Sequence, residues 1–217
     1  MFFSGQRLLF IGAHPDDIEL GCGALLHHVA RQKQSEILCV TLSDNRKNPA
    51  LKNLVQEMYA SMDVLEVPRE RIILEQFTTR QFHEARQEIL DYLIQLRRDF
   101  RPDIVFVHSR QDIHQDHNVV TDEALRAFRG TTLLGFEIIR SSHGFFPQFL
   151  IEVTEEDVQA KVNALACYKT YAEKNYFDPD VIKATLKRNG TIAERPYAEG
   201  FDILRLIGRF SPPVTSG

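Results

Sequence analysis

Short runs of consecutive hydrophobic residues recur along the chain, and polar residues separate each run from the next. A continuous apolar run of this length is typical of a strand that is buried on both faces of a parallel sheet. The strands predicted in this way are Arg7–Ile11, Glu36–Leu42, Arg71–Leu74, Asp103–Val107, Thr132–Ile139 and Phe149–Ile151.

Between these runs, hydrophobic residues recur at the three- and four-residue spacing of an amphipathic helix. In one such segment, Phe82, Ile89 and Leu93 fall on a single face. The predicted helices are Asp16–Arg31, Asn53–Leu65, Phe82–Asp99, Asn118–Phe128 and Glu155–Tyr171. Because strands alternate with helices of ten or more residues, the pattern predicts a layered α/β fold with a mostly parallel sheet.

The C-terminal part of the chain departs from this alternation. Asn175–Glu199 is polar and is interrupted by two prolines and a glycine, so we interpret about residues 172–200 as a lid or an oligomer contact. Ser211–Gly217 has the composition of a disordered tail. With 43% hydrophobic residues in a chain of 217, residues 1–210 are expected to form a single domain around one core.

Composition and charge narrow the class of protein. The net charge is -4, and the absence of a dense Lys/Arg run excludes an extended nucleic-acid interface. The three cysteines are far apart, which argues against a disulfide framework and indicates a reducing compartment. No apolar run approaches the roughly 20 residues of a membrane span, so we expect a cytoplasmic protein without membrane contact.

The first group of chemically active residues, Gly12–Asp17 (GAHPDD), directly follows the first predicted strand. In open α/β sheets, ligands bind at the carboxyl ends of the strands. His14 precedes a proline, which favours an extended backbone, and Asp17 falls in the first turn of the next helix. A tight turn here brings His14 and Asp17 to one point, with Asp16 beside them.

The second group, Asp112–His117 (DIHQDH), follows the strand Asp103–Val107 and opens another helix. His114 and His117 are three residues apart, so a helical turn places them on the same side. Two histidines with two or three carboxylates are suited to a zinc site with an open position. Either group alone is also explained by a helix cap and an exposed loop histidine. Their occurrence at the ends of two core strands favours one joint site.

Two other kinds of active site lack their sequence signals. A dinucleotide site needs a G-x-G-x-x-G loop between the first strand and helix, where this chain has His-Pro-Asp-Asp. Gly21 and Gly23 come later, inside the predicted helix, and are interpreted as positions of close backbone packing. A serine hydrolase of the α/β type needs a G-x-S-x-G elbow, which the sequence does not contain.

With these residues in place, the chain resembles the PIG-L family of metal-dependent de-N-acetylases, also called LmbE-like proteins. Gly12–Ala24 (GAHPDDIELGCGA) resembles the N-terminal signature of that family, and Asp112–His117 resembles its second signature, His-x-Asp-His. Tyr197–Phe201 resembles a weaker C-terminal pattern, and the resemblance extends over about residues 7 to 205. It implies an LmbE-like fold, which is a Rossmann-like three-layer sandwich.

The resemblance also implies roles for individual residues. The implied metal ligands are His14, Asp17 and His117, and the metal is zinc or another divalent ion such as Fe²⁺. The implied catalytic residues are Asp16 as general base, His114 as the group facing the carbonyl oxygen, and Asp116 as the residue that orients His114. In this scheme a protonated His114, kept charged by Asp116, stabilises the oxyanion. Asp16 or His114 delivers the proton to the leaving amine.

The function implied by the resemblance is removal of an N-acetyl group from a free, nucleotide-linked or glycoside-linked amino sugar, such as an N-acetylglucosamine compound, by a homo-oligomer. The loop Thr41–Asn45 departs from the family pattern T-x-G-E and leaves the substrate open. Alternatives are deacylation of a non-sugar amide, metal-assisted hydrolysis of another bond, and a catalytically silent metal- or sugar-binding protein. Arg46, Lys47 and Arg80 lie in predicted loops, where they either contact an anionic substrate group or are solvated.

Overall fold

The structure is a computed structural model that describes residues 3–208. In this part of the chain, seven strands form one sheet, in the order β3-β2-β1-β4-β5-β7-β6. The strands are β1 (Arg7–Gly12), β2 (Glu36–Thr41), β3 (Ile72–Leu74), β4 (Ile104–His108), β5 (Thr132–Phe136), β6 (Phe149–Glu152) and β7 (Ala198–Arg205). The first five are parallel to one another, and β7 is antiparallel to both of its neighbours, β5 and β6.

The α-helices cover both faces of this sheet. They are α1 (Asp17–Gln32), α2 (Leu54–Val64), α3 (Arg86–Phe100), α4 (Gln115–Ala127), α5 (Glu155–Leu165) and α6 (Pro179–Ile192). On β1, Leu8 and Phe10 pack into the cluster formed with α1 and α5, whereas Leu9 and Ile11 pack into the cluster formed with α3 and α4. Alternate residues of a strand point to opposite faces, so β1 is buried from both sides. Among residues 3–208, no helix is both long and apolar enough to cross a membrane.

This architecture confirms the predicted Rossmann-like α/β sandwich with a mostly parallel sheet. Two elements were missed, α6 and β7, because α6 and the start of β7 lie in the polar segment that was interpreted as a lid or an oligomer contact. A signal for α6 was present, since Asp178 caps the helix by accepting from Asp180 N, and Pro179 occupies the first turn. Helix α5 also ends earlier than predicted, at Leu165. The single-domain assignment and the lid or oligomer role stay predictions, and the predicted tail Ser211–Gly217 lies outside the described residues.

Helix α1 is held at its middle by a buried ion pair from two other elements. The Nζ of Lys161, on α5, lies 2.7 Å from Glu199 Oε1, on β7, and donates to the Leu20 carbonyl at 2.7 Å. The Glu199 carboxylate accepts from the main-chain N–H groups of Ala24 and Leu25 at 3.1 and 2.7 Å. In a regular helix the Ala24 N–H is the partner of the Leu20 carbonyl. The ion pair therefore supplies side-chain partners to both ends of a main-chain hydrogen bond.

The glycines of α1 make room for these contacts. A Cβ at Gly23 would lie 3.0 Å from Lys161 Cγ, and a Cβ at Gly21 would lie 2.2 Å from a ring carbon of Phe136 on β5. As expected, Gly21 and Gly23 allow close packing, and the neighbours that approach them are Phe136 and Lys161. The approach of α1 to β5 and α5 depends on these positions having no side chain.

We expect Lys161→Met to lower the free energy of unfolding by about 3–5 kcal/mol, because it leaves the Glu199 carboxylate buried without its cation. Urea unfolding followed by circular dichroism measures this loss. A matched control is Arg71→Met, which breaks the 2.8 Å ion pair with Glu36 on the exposed surface and should change stability little. Equal effects in the two variants would contradict the role assigned to the buried pair.

Candidate metal centre

The loops that follow β1 and β4 meet at the carboxyl edge of the sheet. Strand β1 lies between β2 and β4, so the chain turns away in opposite directions on its two sides and leaves a crevice there. The loop after β1 carries His14, and α1 begins with Asp17. The loop after β4 leads into α4, which carries His117 in its first turn. All three side chains are buried.

The three predicted ligands converge on one point. The Nδ1 of His14 lies 3.3 Å from His117 Nε2 and 3.5 Å from Asp17 Oδ2. The Nε2 of His117 lies 3.5 Å from Asp17 Oδ1. The turn is fixed by the main-chain N–H of His14, which donates to Asp17 Oδ2 at 2.7 Å. Asp17 thus closes the tight turn and also presents its carboxylate to both histidines.

Two further carboxylates decide which ring nitrogens carry protons. His14 Nε2 lies 3.0 Å from Asp116 Oδ2, and His117 Nδ1 lies 2.8 Å from Asp112 Oδ2. Because an ionised carboxylate only accepts hydrogen bonds, these two nitrogens are the donors of their rings. In the neutral rings the electron pairs are then on His14 Nδ1 and His117 Nε2, which face each other and Asp17. Histidine ligands of a metal commonly donate their other ring N–H to a carboxylate in this way.

This donor set fits a divalent cation. Two imidazole nitrogens and a carboxylate oxygen whose electron pairs face one another repel unless a positive charge lies among them. Within residues 3–208, geometry alone allows two three-residue groups, His14 with His114 and His117, or Asp17 with His108 and His117. His108 Nε2 already accepts the Ala13 N–H at 3.1 Å, so its electron pair is engaged. His114 Nδ1 likewise accepts the Asp116 N–H at 3.2 Å. In the neutral rings the free electron pairs are then those of His14, Asp17 and His117, a set that takes two members from each group.

The pKa shifts reflect the same arrangement. Burial alone lowers the pKa of His14, but hydrogen bonds to Asp116 and Asp17 outweigh it and raise that pKa to about 10. Burial lowers the pKa of His117 to about 4. Burial alone raises the pKa of Asp17, but His117 and His108 hold that pKa well below its usual range. The carboxylate of Asp17 is therefore ionised, and His117 keeps a free electron pair at neutral pH.

Asp16 has a strained backbone and an uncapped side chain. Its φ is 101°, which is rare for a residue other than glycine, and such strain is concentrated at functional sites. It occupies the N-cap position of α1 but makes no capping hydrogen bond, so the alternative that it merely caps the helix does not describe it. Burial and the negative charge of Asp17 raise its pKa well above the usual range. Among the described residues its carboxylate has no hydrogen-bond partner and lines the cleft.

The structure places Asp116 differently from the role implied for it. Its carboxylate contacts His14 Nε2 and the main-chain N–H of Arg80, not the ring of His114. Only its main-chain N–H reaches His114, donating to Nδ1 at 3.2 Å. Burial and the charge of His14 lower the pKa of His114, which favours the neutral ring. The contacts thus make Asp116 a support for a predicted ligand and leave His114 with its proton on Nε2.

A cleft of about 830 Å³ opens over these residues. Its walls come from the loops after β2, β3 and β5 and from the segment between α5 and α6, and they include Asn45, Thr79, Arg80, Arg140, Tyr171 and Tyr176.

Sequence reasoning gave Arg140 and Tyr171 no role, since they are far in the sequence from both groups of chemically active residues. It also gave Asp112 no role, although this residue is five positions before His117 in the second group. The carboxylate of Asp112 accepts a hydrogen bond from the His117 ring, and it also accepts one from Ser141 Oγ at 2.9 Å.

Comparison with known proteins finds relatives of this chain. Residues 9–128, more than half of the chain, match the family model PIG-L, described as GlcNAc-PI de-N-acetylase. The uncharacterized deacetylase YaiS of Escherichia coli (strain K12) is 31% identical over 172 residues, which are 76% of this chain and 91% of that protein. The matched residues 9–128 contain every side chain placed at the convergence point.

Solved structures share the fold. The conserved protein TT1542 from Thermus thermophilus superposes with a TM-score of 0.76 and 21% identity, covering 94% of this chain and 97% of that one. The N,N'-diacetylchitobiose deacetylase from Pyrococcus horikoshii superposes with a TM-score of 0.75 and 17% identity, covering 92% and 84%. At these identities the likeness establishes the architecture alone.

We expect Asp112→Asn to weaken divalent-metal affinity about 10–100-fold, because the amide no longer holds the His117 ring as a charged acceptor does. His117→Ala should abolish binding, because it removes a ligand. Dialysis against a graded metal buffer, followed by elemental analysis, measures both. The control is His83→Ala, an exposed histidine whose 3.6 Å contact with Glu84 lies outside the cleft. Full occupancy in His117→Ala would remove that residue from the ligand set.

Proposed function

The chain belongs to the PIG-L family of de-N-acetylases, and we propose that it is a metal-dependent hydrolase that removes an N-acetyl group from an amino sugar or sugar conjugate. The observation that carries this proposal is the uncapped carboxylate of Asp16, which lines the cleft beside three converging electron-pair donors. A protein that only bound a metal has no need of a strained, buried carboxylate next to its ligands. An amidohydrolase needs a proton acceptor there.

His14, Asp17 and His117 hold the metal in this proposal, and zinc is the preferred ion. When bound by two histidines and one carboxylate, zinc keeps an open position, lowers the pKa of a water there toward about 7, and polarises a carbonyl. Fe²⁺ accepts the same ligands. Asp116 and Asp112 keep the two histidine rings in the tautomers that ligation requires.

Asp16 removes the proton of the attacking water. Its φ of 101° turns the side chain out of the helix-capping position, and its oxygens have no other hydrogen bond among the described residues. A carboxyl that has accepted this proton can return it to the leaving amine, which is a poor leaving group while unprotonated. Asp17, its neighbour, is committed to the ligand set and to the His14 N–H. The two adjacent aspartates therefore divide the work of proton transfer and metal binding.

His114 stabilises the charge that develops on the substrate carbonyl oxygen. Its Nδ1 accepts the main-chain N–H of Asp116, so Nε2 carries the proton and is free to donate. The ring lies close to the ligands, with its centroid 4.3 Å from that of His117 and 5.0 Å from that of His14. A neutral donor at a fixed position gives oxyanion stabilisation without the charge that the family resemblance implied.

An N-acetylated sugar is the substrate that the comparisons favour. The E. coli relative is named a deacetylase, and the P. horikoshii enzyme is named for a diacetylated disaccharide. A cleft of about 830 Å³ accommodates a sugar conjugate, and Tyr171 and Tyr176 provide the aromatic surface on which sugar rings pack. A cytoplasmic location and a homo-oligomeric state remain predictions from the sequence.

We expect Asp16→Asn to retain metal and fold but to lower kcat about 10²–10⁴-fold, because the amide cannot accept a proton. Acetate release from a panel of N-acetyl sugars and non-sugar acetamides measures turnover and separates a sugar substrate from its alternative. Asp202→Asn is the control, since it changes a buried carboxylate that contacts Ser109 outside the cleft. Parental turnover in Asp16→Asn would show that another group is the base.

For His114 we expect a graded response. His114→Ala removes the donor and should lower kcat about 10²–10³-fold with little change in KM, since the interaction strengthens in the transition state. His114→Gln retains an N–H donor and should recover part of the loss. If the two variants lose the same activity over the whole pH range, His114 acts by charge or packing and the neutral-donor role is wrong.

A further inference from the structure

One buried histidine beside the predicted ligands has no part in the proposed hydrolysis. His108 is the last residue of β4, and its side chain is fully buried and does not line the cleft. Because its Nε2 accepts the Ala13 N–H at 3.1 Å, the neutral ring carries its proton on Nδ1. Among residues 3–208, that Nδ1 has no hydrogen-bond partner. A buried N–H without a partner lowers stability, so packing alone does not explain a histidine at this position.

His108 lies where β1 and β4 separate. The main-chain pairing of these two strands ends at Phe10 and Phe106. On the other side of β1 the main-chain hydrogen bonds continue as far as the Ala13 carbonyl, which accepts the Ser43 N–H at 2.9 Å. On the β4 side, the hydrogen bond from the Ala13 N–H to the His108 ring spans the gap. The side chain thus takes the place of a main-chain hydrogen bond at the crevice.

Two successive main-chain N–H groups of the turn after β1 are bound by two different side chains. The Ala13 N–H donates to His108 Nε2, and the His14 N–H donates to Asp17 Oδ2. The two acceptor atoms lie 3.4 Å apart. Asp17 fixes the turn from the helix that follows it, whereas His108 fixes it from the neighbouring strand. The position of the turn relative to β4 is therefore set by His108.

His108 also contacts the second group of chemically active residues. Its ring stacks on that of His117, with the centroids 3.8 Å apart and the planes at 11°. Its carbonyl accepts from Thr121 Oγ1 at 2.9 Å, and Thr121 lies about one turn after His117 on α4. A single residue thus contacts both the turn after β1 and the predicted ligand on α4.

We propose that His108 is a positioning residue. It fixes the His14–Asp17 turn and the His117 ring relative to each other, and thereby sets the spacing of the predicted metal ligands. This inference rests on the metal ligation in the proposed function and is independent of the substrate. Residues that orient metal ligands typically contribute about 10–100-fold to affinity. Departures from ideal burial, such as the unpartnered Nδ1–H, are concentrated at functional sites.

The first test compares three variants at this position. His108→Gln retains an acceptor at the reach of Nε2 without the ring, His108→Asn carries the same amide one methylene shorter, and His108→Phe retains a ring without an acceptor. We expect zinc affinity to fall about 10–100-fold for the Asn and Phe variants, and the Gln variant to recover part of the loss. Dialysis against a graded zinc buffer, followed by elemental analysis, measures these affinities. Equal affinities in the Gln and Asn variants would overturn the role of the Nε2 acceptor.

His27→Phe is the matched control, because it changes another buried histidine, one that contacts Asp157 outside the cleft. Its zinc affinity should equal that of the parent. Melting of the metal-free proteins separates positioning from packing. We expect His108→Phe to melt within about 4 °C of the parent, because one unpartnered N–H, that of Ala13, replaces another. A His108→Phe variant that melts at a lower temperature but binds zinc with parental affinity shows that His108 serves packing alone, which overturns the inference.

Nitrogen-15 NMR of the metal-free protein separates this inference from the proposed function. We expect a proton on His108 Nδ1, none on Nε2, and a scalar coupling across the hydrogen bond between the Ala13 amide nitrogen and Nε2. A protonated Nε2 overturns the inference, since that nitrogen cannot then accept the Ala13 N–H. If the parent binds no zinc but shows the expected spectrum, the metal site of the proposed function fails, and the positioning of the turn by His108 is supported.

Discussion

Electron pairs that face one another repel unless a positive charge lies among them, and this constraint governs the carboxyl edge of the sheet. His14 Nδ1 and His117 Nε2 are 3.3 Å apart, with the Asp17 carboxylate beside both. Neither ring can turn away, because Asp116 and Asp112 bind their opposite nitrogens. The arrangement is stable with a cation at its centre or with a proton on His14. The raised pKa of His14 shows that the site favours such a positive charge. In the proposed metal site, affinity would therefore depend on these two supporting carboxylates as well as on the predicted ligands.

The rest of the fold fixes the positions of these side chains. Strands β1 and β4 deliver the two loops to adjacent positions, and both strands are buried from the two faces of the sheet. Helix α1, which begins at Asp17, is fixed at its middle by Lys161 and Glu199. A helix held so far along its length cannot rotate its first turn freely. The strained φ of Asp16 is maintained by this external support rather than by local preference.

The sequence predicted much of the fold and part of the site. Buried strands and amphipathic helices indicated the layered fold, and the two groups at strand ends indicated one joint site. The family resemblance then singled out His14, Asp17 and His117, which the structure brings together. The role of Asp116 was not readable, because the N-cap position of His114 sends the Asp116 side chain towards His14, a residue 102 positions away. Arg140 and Tyr176 meet the site only through tertiary contacts, which hydrophobic periodicity does not encode. Helix α6 was missed because Pro179 and Gly190 lie within it, and strand β7 was missed because it begins two residues after Pro196 at the end of the same polar segment.

The position of Glu199 has a consequence for biosynthesis. Strand β7 is the seventh strand in sequence but lies between β5 and β6, so the sheet stays divided until this strand is inserted. Until then α1, made much earlier, lacks the carboxylate that binds the Ala24 and Leu25 N–H groups. A growing chain therefore carries both histidine groups on the ribosome well before the helix beside them is locked. The final geometry of the first turn of α1, which begins at Asp17, is therefore expected to form late in folding, after β7 has been inserted.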